Sequence, residues 1–247
     1  MILYGLIGYP LGHSFSKNYF TKKFLEEGFA DHRYELFPIK NAGEIKIVLK
    51  EHPDLLGLNV TIPYKQEILP YLSESKIPKG LHACNCIKIN GDKIIGYNTD
   101  IIGFERSLIA QLKNVNINAL VLGNGGAAQA IKFVLNKLKI NYKIVARVLN
   151  NKDVSFTYKD LNEQIIKDHL LIVNTTPLGT FPEINTYPEI PYQFLTPQHF
   201  LFDLVYNPEK TLFLSMGEKK GATIQNGFNM LIEQAEESWN IWNELSG

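Results

Sequence analysis

Short apolar runs alternate along the chain with segments whose apolar residues recur every three or four positions. That alternation of strand and helix periods is the signature of an α/β protein. The pattern predicts strands at Ile2–Ile7, Arg33–Pro38 and Leu55–Val60, and a pair at Cys84–Ile89 and Lys93–Tyr97 flanking the turn Asn90-Gly91-Asp92. Between them it predicts a helix from Lys17 to about Gly28, capped by Ser16, and another at Ala42–Lys50. Asp100 stands where an N-cap would, ahead of a helix through Phe104, Leu108 and Leu112. In the second half, strands are predicted at Ala119–Leu122, Lys143–Ala146, Leu170–Val173, Leu201–Val205 and Ala222–Ile224. Helices fall at Ala127–Lys137, Leu161–Ile166, Thr211–Glu218 and from Phe228 onward. Parallel strands with crossover helices form a sheet whose ligand lies at the strands' carboxyl ends. The boundary between a first and a second domain is placed near Asp100, and the amphipathic last helix (Met230, Leu231, Ala235, Trp239, Trp242) is expected to pack back on the first.

Composition narrows the function classes. The 247 residues suffice for one large domain or two modest ones, and 45% hydrophobic with 20% charged residues is globular composition. Twenty-five basic side chains balance twenty-five acidic ones, which removes the electrostatic reason to expect nucleic acid or an anionic membrane as main partner. No apolar run approaches the roughly 18 residues of a membrane span, and Met1–Ile7 reads as a strand without the basic lead-in of a signal peptide. A cytoplasmic protein is expected. Cys84 and Cys86 are expected on one face of a strand as reduced thiols, and the six histidines lack metal-ligand spacing, so no metal is expected.

Candidate chemistry begins at Gly123-x-Gly125-x-x-Ala128, set between a strand and a helix. In that context Gly123 permits a tight turn, Gly125 lets backbone amides approach a diphosphate, and Ala128 allows close helix packing. The next strand ends in Ala146-Arg147, with no carboxylate to hold a ribose 2′-hydroxyl and one guanidinium for a 2′-phosphate, which favours NADP. Asn59 and Thr61 share a face at a strand end, and Pro63 delivers Lys65, an ammonium suited to protonate a carbonyl that accepts hydride. Asp100 is a candidate counter-ion. Taken alone, Lys65 reads more plainly as a surface lysine and Asp100 as a helix cap, and Arg147 could equally be a solvated loop residue. Ser14 and Ser16 either cap a helix or turn to a carboxylate, capping being the plainer reading.

At this point the chain resembles the shikimate dehydrogenase family, NADP-dependent enzymes that interconvert 3-dehydroshikimate and shikimate in aromatic amino-acid biosynthesis. The resemblance runs nearly end to end through GYPLGHSFS (Gly8–Ser16), GLNVTIPYK (Gly57–Lys65), ACNCI (Ala83–Ile87), GYNTD (Gly96–Asp100), LGNGGAAQA (Leu122–Ala130), NTTPLGT (Asn174–Thr180), DLVYNPEKT (Asp203–Thr211) and GFNMLIEQA (Gly227–Ala235). It implies two α/β domains around a cleft, the second of Rossmann type, with the last helix returning to the first. A substrate-binding catalytic domain of residues 1–100 plus 227–247 and an NADP-binding domain of residues 101–226 are expected. It implies Ser14 and Ser16 on the substrate carboxylate, Asn59, Thr61, Asn85, Gln234 and Tyr206 on the ring hydroxyls, and Lys65 and Asp100 as the catalytic pair. It further implies Gly123, Asn124, Gly125, Gly126, Ala127 and Arg147 on NADP, with Leu204 and Gly227 on the nicotinamide side. A small-molecule substrate and a monomer or homodimer follow.

Several positions depart from the family pattern. Lys17 stands where proline is usual, the loop reads G-N-G-G for G-A-G-G, and Ala146-Arg147-Val148 replaces N-R-T/S. Asn151 replaces a further arginine, with Lys152 beside it as a substitute cation. A weakened NADP preference is expected. The rivals are an NAD-using quinate/shikimate dehydrogenase, a methylenetetrahydrofolate dehydrogenase, which the paired serines suit less well, and a silent ligand sensor, against which Lys65 and Asp100 both stand.

Overall fold

The computed structural model describes residues 1–12, 14–112, 115–149 and 153–244. The chain divides into two compact units, Met1–Ile102 with the segment from Gln234 onward, and Gly103–Glu233. The fold is α/β in both. The division falls seven residues later near the last helix than the sequence reading put it, so Gly227–Glu233 groups with the second unit.

The first unit comprises β1 (Ile2–Gly8), α1 (Phe15–Glu26), β2 (His32–Pro38), α2 (Ile45–Glu51), β3 (Leu55–Val60), β4 (Glu74–Ser75), β5 (Cys86–Asn90), β6 (Lys93–Tyr97) and the start of α3 (Asp100–Ile109). Its sheet runs β2-β1-β3-β5-β6-β4. β1 lies parallel to β2 and β3, while β5 is antiparallel to β3 and β6. Period-two alternation along β1 sends Leu3 and Ile7 into one core with Ile45, Leu58 and Ile87. The same alternation sends Tyr4 and Leu6 into the other, with Phe20, Phe24, Ile241 and Trp242. The returning last helix thereby completes the second face of the sheet. Its Trp242 lies so close to β3 that a Cβ on Gly57 would sit 2.4 Å from the indole, which explains a glycine inside a strand.

Three local expectations are corrected here. Ser14, not Ser16, caps the first helix, its Oγ accepting from Lys17 N at 3.3 Å, and the helix ends at Glu26. Asp100 is a helical residue of the first turn rather than its cap, and Asn98 Oδ1 accepts from Ile101 N. Cys84 precedes β5, its N–H spent on Lys65 O at 2.7 Å, so the two thiols join opposite cores instead of sharing a face. Both are free and buried, and burial pushes the Cys84 thiol up to about 12.

The second unit carries the rest of α3, then β7 (Asn118–Leu122), α4 (Gly126–Lys137), β8 (Asn141–Ala146), β9 (Val154–Thr157), α5 (Glu163–Asp168), β10 (Leu171–Asn174), β11 (Phe200–Asp203), α6 (Leu212–Glu218), β12 (Thr223–Gln225) and the start of α7 (Phe228–Asn243). Asn162 and Thr211 cap α5 and α6 through their side-chain oxygens. All its pairings are parallel, in the order β9-β8-β7-β10-β11-β12. This is the Rossmann order, with the reversal between β7 and β10. β9 was not anticipated, since four residues with one buried side chain give too short a pattern.

Asp203 ends β11 with no exposed surface and, among the described residues, no cation paired with it. Its Oδ1 accepts from Asn174 Nδ2 (2.9 Å) and Val205 N (3.0 Å), and its Oδ2 from the Thr211 hydroxyl (2.6 Å). Burial outweighs these bonds and pushes its pKa up to about 6. The folded protein thus holds this proton more tightly than the unfolded chain, whose Asp titrates near 3.9. The resulting stabilisation is full below about pH 4 and is lost as pH rises through about 6, a change of about 3 kcal/mol. Asp203→Asn, with the Thr211 hydroxyl turned to accept, should remove that slope. Urea melts at pH 4.5 and 8 check this: the variant should gain on the parent at pH 8, and identical slopes would refute the assignment.

Candidate active site

In the first unit the ends of β1 and β3 run so close that a Cβ on Gly8 would lie 2.4 Å from Thr61 Cγ2. Thr61 N donates to Ile7 O, and Tyr64 N donates back to Thr61 O, folding the chain into a turn that ends at Lys65. The Tyr64 hydroxyl donates to Ile39 O at 2.7 Å and fixes the turn from below. Lys65 Nζ then meets Asp100 Oδ2 at 2.6 Å, with the side chains 30% and 16% exposed. Both can therefore still meet a ligand.

Asp100 is held on its other oxygen as well. Asn85 Nδ2 donates to Asp100 Oδ1 at 2.9 Å and lies 3.0 Å from Thr99 Oγ1, while Asn85 Oδ1 accepts from Thr99 N at 2.6 Å. Gln234 Oε1 lies 3.4 Å from both Asn85 Nδ2 and Thr99 Oγ1. The Ser238 hydroxyl donates to Gln234 O and stands 3.3 Å from Thr99 Oγ1. Of the residues expected around a substrate, Lys65, Asp100, Asn85 and Gln234 thus form one connected cluster, with Thr61 and the half-buried Ser14 and Ser16 at neighbouring chain turns.

Asn59, also expected at the substrate, lies beside this cluster. It is buried, and its amide is fully engaged: Oδ1 accepts from the Tyr34 hydroxyl (2.8 Å), and Nδ2 donates to Ser238 Oγ (2.9 Å) and Asn85 O (3.3 Å). It thereby braces the cluster, with both amide hydrogens spent inside the fold. Tyr34, Thr99 and Ser238 were not singled out from the sequence. Thr99 lies inside the GYNTD stretch, whereas nothing in the chain marks Tyr34 or Ser238. Burial holds the Tyr34 phenol well above its ordinary range, with the Ser16 hydroxyl against it. Lys17 pairs on the surface with Glu35 of β2 at 2.8 Å, which gives the residue in the usual proline position a partner. His13 lies outside the described residues, as do Asn151 and Lys152.

The second unit holds a cavity of about 620 Å³ at the reversal point of its sheet, within the range of small-molecule sites. Gly123, Asn124, Gly125, Ala146, Arg147, Val148 and Tyr158 line it with the Thr175–Leu178 turn. Gly123 has φ +103°, and a Cβ there would lie 2.8 Å from Thr175 Oγ1, so the turn after β7 requires glycine. A Cβ on Gly125 or Gly126 would meet nothing within 4 Å, and both residues are exposed at the start of α4. This is the cradle that a diphosphate needs. Gly126 and Ala127 open α4 outside the cavity lining.

Arg147 lines the cavity, and its charge bears on Tyr158, whose phenol burial pushes up to about 12. Tyr158 and Thr175–Leu178 escaped the sequence reading, although the latter belong to the NTTPLGT stretch. Leu204 and Gly227 are in mutual contact, a Cβ on Gly227 falling 2.2 Å from Leu204 O, but neither lines this cavity. Tyr206 follows β11 in the second unit. Among the described residues, no helix is long and apolar enough to cross a membrane.

The model for the shikimate dehydrogenase substrate binding domain matches residues 6–87. A protein named shikimate dehydrogenase (NADP(+)) from Methanococcus vannielii is 35% identical, the match covering 98% of this chain and 91% of that protein. A crystal structure of a shikimate dehydrogenase in complex with NADP+ superposes with a TM-score of 0.84 at 33% identity, over 99% of this chain and 91% of its own. That of the Aquifex aeolicus shikimate dehydrogenase gives 0.83 at 31%, over 100% and 94%. The chain belongs to the shikimate dehydrogenase family.

Proposed function

We propose that this chain catalyses the reversible, NADPH-dependent reduction of 3-dehydroshikimate to shikimate. The observation that carries the reading is the Lys65–Asp100 contact at 2.6 Å, held from behind by Asn85 and partly open to a ligand. When bound, the reduced nicotinamide supplies the hydride. The chain's own task is then the proton. Reduction of the ketone leaves an alkoxide, and Lys65 Nζ is the donor that neutralises it. Asp100 holds the ammonium in place and accepts from the same hydroxyl once it forms. In the oxidative direction a group of the pair must take the hydroxyl proton, so that rate should rise with pH.

The residues around the cavity fit the dinucleotide. The exposed helix start at Gly125 and Gly126 suits its diphosphate, and Arg147 is a cation with no carboxylate among the described lining residues, as a 2′-phosphate requires. The substrate carboxylate is assigned to Ser14 and Ser16, and its hydroxyls to Thr61, Asn85, Gln234 and Tyr206. The Methanococcus vannielii and Aquifex aeolicus relatives, both named as shikimate dehydrogenases, support the activity.

Purified protein with shikimate at alkaline pH should generate reduced-nicotinamide absorbance with NADP, and more slowly with NAD. Faster turnover with NAD would move the reading to the quinate/shikimate rival, and silence in both from folded protein would favour a ligand sensor. Lys65→Met should lower kcat by about 100-fold or more, as loss of a general acid does, with a smaller change in the KM for shikimate. A variant retaining most of its kcat with an unchanged pH profile would remove Lys65 from that role. Arg147→Ala should raise the KM for NADP several-fold while leaving that for NAD nearly unaltered, since only the former bears the extra phosphate. Parallel losses with both cofactors would mean that Arg147 serves a part they share.

A further inference from the structure

Lys132 is a buried cation that the proposed chemistry does not use. It sits in the second turn of α4 with its side chain 11% exposed. Helical side chains lean toward the helix N-terminus, and the ammonium accordingly reaches back to the glycine loop, 3.4 Å from Asn124 Oδ1. Asp153 Oδ2, at the entry to β9, stands 3.4 Å away on the other side. A cation drawn toward the positive end of a helix gains nothing from the helix dipole, and burying its stem costs side-chain entropy. Helix stability therefore does not account for its position.

Its effect on Asn124 is directional. An ammonium only donates, so the Asn124 amide must turn its oxygen to Lys132. The amide nitrogen, with no acceptor among the described residues, is then left for the cavity that Asn124 lines. An unconstrained asparagine would present either end with similar ease. A dinucleotide presents mainly acceptor oxygens along its ribose–diphosphate spine, against which the amide oxygen would be repelled.

We propose that Lys132 is a positioning residue for cofactor binding, fixing Asn124 so that its Nδ2 donates to an oxygen of the dinucleotide. The inference rests on the reading that this cavity takes the dinucleotide, and it gives a role to the residue that departs from the usual alanine of the loop. Asp153 keeps the ammonium from swinging out to solvent and tempers its charge.

The test is a fluorescence titration of NADPH into wild-type protein and variants without shikimate. Wild-type protein that fails to bind NADPH overturns the cofactor reading itself, before any variant is judged. Given binding, Lys132→Met should weaken NADPH about three- to tenfold, the worth of one hydrogen bond. Lys132→Arg, which restores the donor, should recover most of it. Asn124→Ala should weaken binding comparably, and the double variant should bind no worse than the weaker single variant, because the two side chains act through one contact. Turnover should show a raised KM for NADPH with kcat unaltered. Additive losses, or Lys132→Met protein that binds as wild type, would overturn the proposal. Asn124 lies on a loop, so Asn124→Ala tests it even where Lys132→Met unfolds, and unchanged affinity in that variant refutes it alone.

Discussion

Asp100 gives one carboxylate oxygen to the Lys65 ammonium and the other to the Asn85 amide, and the centre of the first unit is arranged around keeping both contacts. A half-buried charge pair is a poor source of net stability, because desolvation cancels much of the attraction. What it requires is that neither partner be left alone. Lys65 meets this through the turn that follows β3, anchored by Thr61, Tyr64 and the Cys84 N–H. Asp100 meets it by opening α3, where the Thr99 N–H and hydroxyl hold Asn85 in register. Asn85 in turn sits on the strand entry between β3 and β6, its own N–H bound to Tyr97 O and its carbonyl to Val60 N. The pair is therefore placed by backbone ladders, and only its last ångström is set by side chains.

Behind that pair the polar groups continue inward through Thr99, Ser238, Asn59 and Tyr34. A buried network of this kind is favourable only when its members are satisfied, since each orphaned group costs about 1–3 kcal/mol. Here each of these four side chains finds a partner, at the expense of freedom: Asn59 has no hydrogen left to offer a ligand. Residues near a site thus sort by whether their hydrogen-bonding capacity is already spent. Asn59 and Ser238 are spent, whereas Lys65 and Asp100 remain partly exposed.

The same distinction explains what could be read from the chain. Strand and helix positions were legible because each face is buried with its own period, as in β1, whose alternate residues enter different cores. The glycine loop was legible because a φ of +103° and a close threonine leave no other residue possible at Gly123. Lys65, Asp100 and Asn85 were legible as parts of long family stretches. Tyr34 and Ser238 were not, since one tyrosine on a strand and one serine on an amphipathic helix carry no local signal; only the packing of distant segments brings them to Asn59. β9 and the true cap of α1 failed for a related reason: four residues give no period, and Ser14 and Ser16 are chemically interchangeable until the backbone chooses.

α7 shows how closely stability and site are joined. Gln234, Ser238 and Trp242 follow at intervals of four, so they share one helix face. Gln234 meets the Asn85–Thr99 group, Ser238 bridges to Asn59, and Trp242 stacks on Tyr4 at 4.7 Å while its Nε1 donates to Ile87 O. The stripe is thus polar at the end toward Asn85 and Asp100 and aromatic at the other. The aromatic end supplies the burial that holds the helix, and the polar end spends that rigidity on amides and hydroxyls that must not move. A loosened Trp242 would therefore be felt first as a misplaced Asp100, because the helix that seals the core also braces the carboxylate through Gln234 and Asn85.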